Sequence, residues 1–413
     1  MQIEILRLNH RIGRDPRISS HVALTSRALG ACKVYYSGDK DKSLEDSIYK
    51  ITKKFGGPFE IEYCENDLNL VKKKKKDGFL IIHLTMYGKD FKSYKKKILK
   101  NSKVLVTGCA GFIGSFVTEA LLEKGAYVYG IDNLNTGSLD NIQHLLKDTH
   151  FKFIKEDFCN KKILEDLINK VDYIYHAAVR GIGLSTNNPL LELKVNTEGT
   201  LLLLEMMRKS KVKRLVYASS ASVYGNPTQI PEKETDPTFP LSPYGVSKLA
   251  AERYIIAYHH LYHLPVVALR YFNVYGPKQR WDSLYGGVVS IFLYSALNNK
   301  PLSIYGNGKQ TRDFTYIDDA VNATLESFWA KDVLGKVINV ASSKEYSIEK
   351  LAKIVKKISG KKLKIQYKEG RLIDNIQRRI GDISLAKKLL KFTPSVNLEQ
   401  GLKKTYKFYL GSF

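Results

Sequence analysis

The sequence predicts an α/β protein whose main domain is a doubly wound parallel sheet, and three stretches predict it. Lys103-Val-Leu-Val-Thr-Gly108-Cys-Ala-Gly111-Phe-Ile-Gly114 runs a short apolar strand into three glycines spaced by two residues, and residues 115–124 continue as a helical pattern. Ala126-Tyr-Val-Tyr-Gly-Ile131 is a second strand, closed by Asp132. Arg214-Leu-Val-Tyr-Ala-Ser-Ser220 is an unbroken apolar run of the kind a parallel strand shows when both of its faces are buried. Short apolar strands alternating with helical patterns build βαβ units, and hence a parallel sheet.

Each element carries chemistry. Glycines at 108, 111 and 114 let the turn pass close to a pyrophosphate, whose charge meets the following helix N-terminus. Asp132 at the end of the second strand accepts hydrogen bonds from a ribose 2′-hydroxyl and repels a 2′-phosphate, so NAD is expected over NADP. Further along, Tyr244-Gly-Val-Ser-Lys248 places a tyrosine four residues before a lysine on a predicted helix, which puts both side chains on one face. A lysine ammonium there stabilises a phenolate and makes tyrosine a usable base below its ordinary pKa of about 10. Ser220, twenty-four residues upstream, is a hydroxyl positioned to hold a substrate oxygen opposite the tyrosine.

These motifs, in this order, resemble the extended short-chain dehydrogenase/reductase family, and within it the nucleotide-sugar 4-epimerases. The resemblance runs from about residue 103 to the C-terminus. It implies a Rossmann-type core over about 103–270 and a smaller substrate lobe contributed mainly by about 271–413. Strand-like Val337-Ile-Asn-Val-Ala and helical residues 347–359 are expected in that lobe. The cofactor turn supplies Gly108, Gly111, Phe112, Ile113 and Gly114, with Asp132 and Asn133 after the second strand. Asp157-Phe158 stands where the family contacts adenine, and His176-Ala177-Ala178 ends the fourth strand near the cofactor. Asn196-Thr-Glu-Gly199 matches the family's Asn-x-x-Gly. Arg270-Tyr-Phe-Asn273-Val-Tyr-Gly-Pro277 and Tyr305-Gly-Asn-Gly-Lys-Gln-Thr-Arg312 resemble the segments whose asparagine and arginine meet the diphosphate, and Arg371 or Arg378 is implied as a second arginine. The implied catalytic set is Ser220, Tyr244 and Lys248, acting on a UDP-sugar with a retained NAD.

Chemistry separates the subfamilies. Dehydratases and decarboxylases of this fold carry an acid just after the active-site hydroxyl, whereas Ala221 and Ser222 follow Ser220 here. Neither holds a proton for elimination or decarboxylation. A 4-epimerase needs one base, one hydroxyl and a cofactor that takes and returns hydride. The segment beginning Arg180-Gly-Ile-Gly departs from the family's usual spacing beside the sugar, so the hexose stays open. The helices expected around 190–208 and 244–262 are those through which the family forms a homodimer, by a four-helix contact.

Composition is that of a globular enzyme: 44% hydrophobic and 26% charged residues over 413. Cys32, Cys64, Cys109 and Cys159 show no metal-type spacing and no disulfide framework, so no metal is expected. No apolar stretch reaches the ~20 residues that span a bilayer, and no secretory pattern opens the chain, so a cytoplasmic protein without membrane contact is expected.

Residues 1–100 read differently. Leu6-Arg-Leu-Asn-His10-Arg-Ile-Gly-Arg14-Asp-Pro-Arg17, Gly56-Gly57-Pro-Phe-Glu-Ile-Glu and above all His83-Leu-Thr-Met-Tyr87-Gly88 resemble the N-terminal half of the archaeal tRNA cytidine 2′-O-methyltransferase, of the knotted SPOUT class. The resemblance implies a truncated α/β segment over 1–100, joined to the enzyme at 101–413. The knotted half that binds the methyl donor is replaced by the Val104–Gly108 cofactor turn, so no methyltransferase activity is expected. This segment carries 22 Lys and Arg against 12 Asp and Glu, with a run at Lys72–Lys76. A phosphate-backbone footprint for weak tRNA or RNA contact is one reading. A solvated lysine-rich surface is the other, and it is favoured because the enzyme half is basic too.

Overall fold

The computed structural model describes residues 4–10, 16–28, 31–56, 59–77, 100–181, 185–281, 287–370 and 376–411. The chain divides into two compact units, Met1–Tyr94 and Lys95–Phe413, a few residues before the junction read from the sequence.

The first unit alternates strand and helix: β1 (Glu4–His10), α1 (Pro16–Ala28), β2 (Lys33–Gly38), α2 (Lys42–Phe55), β3 (Glu60–Tyr63) and α3 (Asp67–Lys76). The strands form a parallel sheet in the order β1-β2-β3. Val34, Tyr36, Leu44, Ile48 and Phe59 build its small core. Asp41 caps α2 by accepting from the Leu44 amide at 3.1 Å, an ordinary N-cap. The Lys72–Lys76 run lies on α3, none of whose residues is buried. His83–Gly88, the most specific piece of the methyltransferase resemblance, lies outside the described residues.

The second unit holds a seven-stranded parallel sheet. Its strands are β4 (Lys103–Thr107), β5 (Tyr127–Ile131), β6 (Phe151–Ile154), β7 (Tyr173–His176), β8 (Arg214–Ser220), β9 (Val266–Tyr271) and β12 (Lys336–Val340), in the order β12-β9-β8-β7-β4-β5-β6. Val104, Leu105 and Val106 are fully buried, as their continuous apolar run requires of a strand covered on both faces. Strand order reverses at β4, which pairs with β5 on one side and β7 on the other. Ligands of such sheets bind in the crevice beyond the strand ends at that switch point.

Covering helices follow from the sequence: α4 (Phe112–Glu123), α5 (Lys161–Ile168), α6 (Pro189–Leu193), α7 (Gly199–Met207), α8 (Pro243–Tyr262), α9 (Val288–Leu297), α10 (Ile317–Ser327), α11 (Ile348–Ser359), α12 (Ser384–Leu390) and α13 (Leu398–Gly411). A π-helical turn, Lys194–Glu198, joins α6 to α7. Helix α8 starts where Ser242 accepts from the Gly245 amide at 3.1 Å with Pro243 in its first turn, and ends on left-handed His263 at φ 55°. The remaining strands are β10 (Leu302–Tyr305), β11 (Thr311–Asp313), β13 (Glu345–Ser347) and β14 (Ile365–Lys368). They pair as β10·β14 and β11·β13, two small sheets apart from the large one.

One segment departs from the sequence reading. Val337–Ala341 was expected in the substrate lobe, yet β12 is the edge strand of the large sheet and pairs with β9 from Lys336↔Val267 to Val340↔Tyr271. The large sheet therefore draws on residues well past 270. A short apolar run does not carry the identity of its neighbour; that depends on where the intervening chain returns.

A charge cluster ties α8 to the sheet. Arg270 Nε and Nη2 donate to Glu252 at 3.0 and 2.6 Å, and Ser219 Oγ donates to the same carboxylate at 2.6 Å. Both ions are essentially fully buried. Breaking such a pair leaves an uncompensated charge in the interior, so Glu252→Gln is expected to lower stability by about 3–5 kcal/mol in urea unfolding. A loss below about 1 kcal/mol, the range of exposed pairs, would contradict this account.

Candidate active site

A cavity of about 650 Å³ opens beyond the C-terminal ends of β4, β5, β7, β8 and β9. It is assembled from the turns that follow those strands, as the switch-point rule requires.

At one end sits the glycine turn. Gly108 has φ +73°, and a Cβ there would come within 2.8 Å of the Ala178 nitrogen. A Cβ on Gly114 would stand 2.0 Å from the Gly108 oxygen. The turn is closed to side chains at both positions. Helix α4 begins at Gly111 with no side-chain cap and no acid in its first turn, so its leading N–H groups face the cavity beside Phe112, Ile113 and Gly114. An uncapped helix N-terminus of this kind suits an anion. Asp132 accepts from the Ala110 amide at 2.9 Å and the Leu134 amide at 2.8 Å, which orients its carboxylate at the end of β5. Asn133 Nδ2 donates to Asp157 at 3.0 Å, and Phe158, Ala177 and Ala178 complete this wall.

At the other end Ser220, Tyr244, Lys248 and Asn273 line the same cavity. Ser220 ends β8 and its hydroxyl accepts from the Ser222 amide at 3.1 Å. Tyr244 and Lys248 rise from the first two turns of α8. Burial pushes the Tyr244 phenol up to about 12, while the Ser220 hydroxyl draws it down. Burial drags the Lys248 ammonium down to about 7, and the Glu192 and Glu252 carboxylates oppose that fall. The ammonium donates to the Ala218 carbonyl at 2.5 Å and stands 4.5 Å from the centre of the Tyr217 ring. In this state Lys248 is held by the backbone of β8, and Ser220 is the group that draws the phenol down.

Asn196, Arg312 and Arg378 are not among the described residues that line the cavity. The Asn196 side chain exchanges hydrogen bonds with the Arg180 backbone at 2.8 and 3.2 Å and donates to Glu192 at 2.7 Å, so it anchors the loop after β7. Arg312 Nη1 donates to the Ile376 and Thr311 carbonyls at 2.7 and 2.9 Å. Arg371 lies outside the described residues, and Arg378 pairs with Glu345 on the surface.

The cationic wall comes instead from Arg180, Lys278, Arg280 and Arg379. Arg379 is 4% exposed, donates from Nη2 to the Gly225 carbonyl at 2.6 Å, and leaves Nε without a hydrogen-bond partner, 3.6 Å from Glu232. In an extended segment neighbouring side chains point to opposite sides, so Arg378 faces out and Arg379 faces in. The Gln377-Arg378-Arg379 run itself contains no signal of which is which. Carboxylates also line the cavity, but Asp132, Glu156 and Asp157 all follow β5 and β6, on the far side of β4 from Ser220 and Tyr244.

Among the described residues no group of His, Cys, Asp and Glu has metal-site geometry, all four cysteines are free, and no helix is long and apolar enough to cross a membrane.

The chain that carries this crevice is similar to known proteins along most of its length. Residues 105–405 match the family described as GDP-mannose 4,6 dehydratase. The chain belongs to this family of nucleotide-sugar short-chain dehydrogenase/reductases. Its relatives include the UDP-glucuronate 4-epimerase of Thermodesulfobacterium geofontis, 39% identical over 312 residues, which cover 73% of this chain and 94% of that one. A UDP-glucuronic acid decarboxylase of Arabidopsis thaliana is 34% identical over 309 residues, 73% of this chain and 68% of the plant protein. The crystal structure of UDP-glucuronic acid 4-epimerase from Bacillus cereus, in complex with UDP-glucuronic acid and NAD, superposes with a TM-score of 0.71 at 36% identity, over 75% of this chain and 100% of that one. The chain is thus a family member of the UDP-sugar epimerase and decarboxylase type. Residues 55–120 also match the tRNA ribose 2′-O-methyltransferase family. The two matches overlap over residues 105–120, which hold most of β4, the glycine turn and the start of α4.

Proposed function

We propose that the chain is an NAD-dependent UDP-sugar 4-epimerase, which inverts C4 through a 4-keto sugar. The observation that carries this reading is the reaction end of the cavity. Ser220, Tyr244 and Lys248 meet there, and Ala221 and Ser222 stand where an acid for elimination or decarboxylation is needed. The lining carboxylates belong to the opposite end.

The residues present accommodate a dinucleotide: a turn closed to side chains, an uncapped helix N-terminus for pyrophosphate, and Asp132 for a ribose diol. Bound NAD supplies the hydride acceptor and donor. Tyr244 takes the proton of the sugar 4-hydroxyl and later returns it. Ser220 hydrogen-bonds the same oxygen and relays the proton. Lys248, as an ammonium, stabilises the phenolate. Asn273 and the inward-facing Arg379 hold the diphosphate while the keto sugar turns over, a role the sequence reading assigned to Arg312. The homodimer belongs to the same proposal, supported by exposed apolar side chains on α6 and α8 at Leu190, Leu193, Val246 and Leu261.

The test is incubation of the purified chain with UDP-glucuronate, UDP-glucose and UDP-N-acetylglucosamine, without added cofactor, followed by NMR of the sugars. Inversion at C4 of one of them is expected, with UDP-glucuronate tried first because of the relatives above. Release of carbon dioxide with a UDP-pentose would replace epimerase by decarboxylase. No conversion, with or without added NAD, would overturn both.

A further inference from the structure

Glu192, on the short helix α6, is 1% exposed and stands behind the cavity wall. Its Oε1 accepts from Asn196 Nδ2 at 2.7 Å and also from the Ser247 hydroxyl. Asn196 Nδ2 reaches Ser247 Oγ as well, at 3.1 Å. Two donors converging on one oxygen favour the ionised carboxylate. Ser247 immediately precedes Lys248 on α8, so this clamp fixes the carboxylate against the turn of α8 that carries the lysine.

The charged and titratable groups around Lys248 can be followed element by element. Glu192 comes from α6, Tyr244 and Glu252 from α8 itself, His176 from β7 and Tyr217 from β8. Arg180, from the loop after β7, acts on Glu192, and Arg270, from β9, holds Glu252. Glu252 is already neutralised by its two-pronged bond to Arg270. The hydrogen-bond donors to Glu192 are uncharged and Arg180 acts on it through space, so less of its field is cancelled than at Glu252. A buried ammonium without such a counter-charge loses its proton, and a neutral amine does not stabilise a phenolate.

We propose that Glu192 is a positioning residue for the sugar oxidation: its carboxylate, clamped by Ser247 and Asn196, keeps Lys248 an ammonium beside Tyr244. The activity consequence rests on the epimerase reading; the charge consequence does not. Burial pushes the Glu192 carboxyl upward, while Ser247, Asn196, Lys248 and Arg180 pull it back toward ionisation.

The direction of the effect on Lys248 is fixed by sign; the same charge also holds the Tyr244 phenol up, so the lysine is titrated directly. A negative charge raises the pKa of a nearby ammonium, so removing it makes Lys248 lose its proton at lower pH. The experiment compares the full wild-type chain with Glu192→Gln and Glu192→Ala, which are neutral, and with Glu192→Asp, which keeps the charge. Trace acetylation of Lys248 by acetic anhydride is followed against pH by peptide mass spectrometry, because only the neutral amine reacts. The midpoint is expected to fall by about one pH unit in the neutral variants, a tenfold change in the ratio of charged to neutral lysine, and to return in Glu192→Asp. The basic limb of kcat/KM for the UDP-sugar is expected to move with it. Either neutral variant suffices if the other fails to fold. An unchanged acetylation midpoint overturns the proposal and leaves Glu192 a purely structural anchor. Absence of epimerisation by the wild type overturns the functional reading instead, and the acetylation titration then still decides on Glu192.

Discussion

Tyr244→Phe is expected to lower epimerase turnover by about 10²–10⁴-fold, the range supplied by a positioned acid–base group, while bound nucleotide and UDP affinity stay at wild-type levels. The substitution removes one oxygen from a ring that lines the cavity at the start of α8 and leaves the helix cap, Lys248 and the cofactor turn untouched. Binding is carried by other residues, so the loss falls on kcat. Burial holds the phenol high and Ser220 lowers it, so Tyr244 is protonated in this state and its work as a base depends on a neighbour that favours the phenolate. Sugar NMR with NAD content measured after denaturation separates the two effects. Turnover at the wild-type rate would remove Tyr244 from the chemistry; loss of bound NAD would make it a structural residue.

Gly114→Ala is expected to empty the cofactor site. A methyl group at this position would lie 2.0 Å from the Gly108 oxygen and 2.8 Å from its carbonyl carbon. Neither is the end of a flexible side chain, so the backbone of the turn must move. Gly108 has little room to yield, being at φ +73° with Ala178 packed against it. Overpacking of this kind costs about 1–3 kcal/mol of stability, and the displaced turn no longer aims the α4 N–H groups at a pyrophosphate. NAD per chain is expected to fall close to zero, with a lowered melting temperature by calorimetry. Gly111→Ala is the milder control, because its φ of −74° suits any residue and the nearest approach is 3.1 Å. Full NAD content in Gly114→Ala would show that the turn does not hold the pyrophosphate.

The parts of the site legible in the sequence are those whose geometry is local. A strand running into Gly108, Gly111 and Gly114 dictates a tight turn and a helix start, and Tyr244 and Lys248 share a face because a helix repeats in four residues. Asp132 was legible as the residue ending a strand next to the glycine turn. That Arg379 lines the cavity and Arg312 does not was not legible. Arg312 lies in a recognisable segment yet bonds to the carbonyls of Thr311 and Ile376, whereas Arg379 enters from an extended segment whose inward side is set by its packing against Gly225 and Glu232. Asn196 was legible as a motif, but its partners, Arg180, Glu192 and Ser247, are spread over three elements.

By itself, the sequence determined that the second unit is a parallel α/β sheet with a dinucleotide-type turn and a Ser–Tyr–Lys set, and that Ala221 and Ser222 follow the serine. These follow from backbone preferences and side-chain periodicity within a few residues of each position. Only the tertiary structure decided that β12 extends the large sheet, that the lining carboxylates gather at the end away from Tyr244, and that Glu192 bonds to Ser247, the residue before Lys248. Those outcomes depend on contacts between segments far apart in the chain. Burial then alters the charge of what it brings together, as the opposed shifts of Tyr244 and Lys248 show.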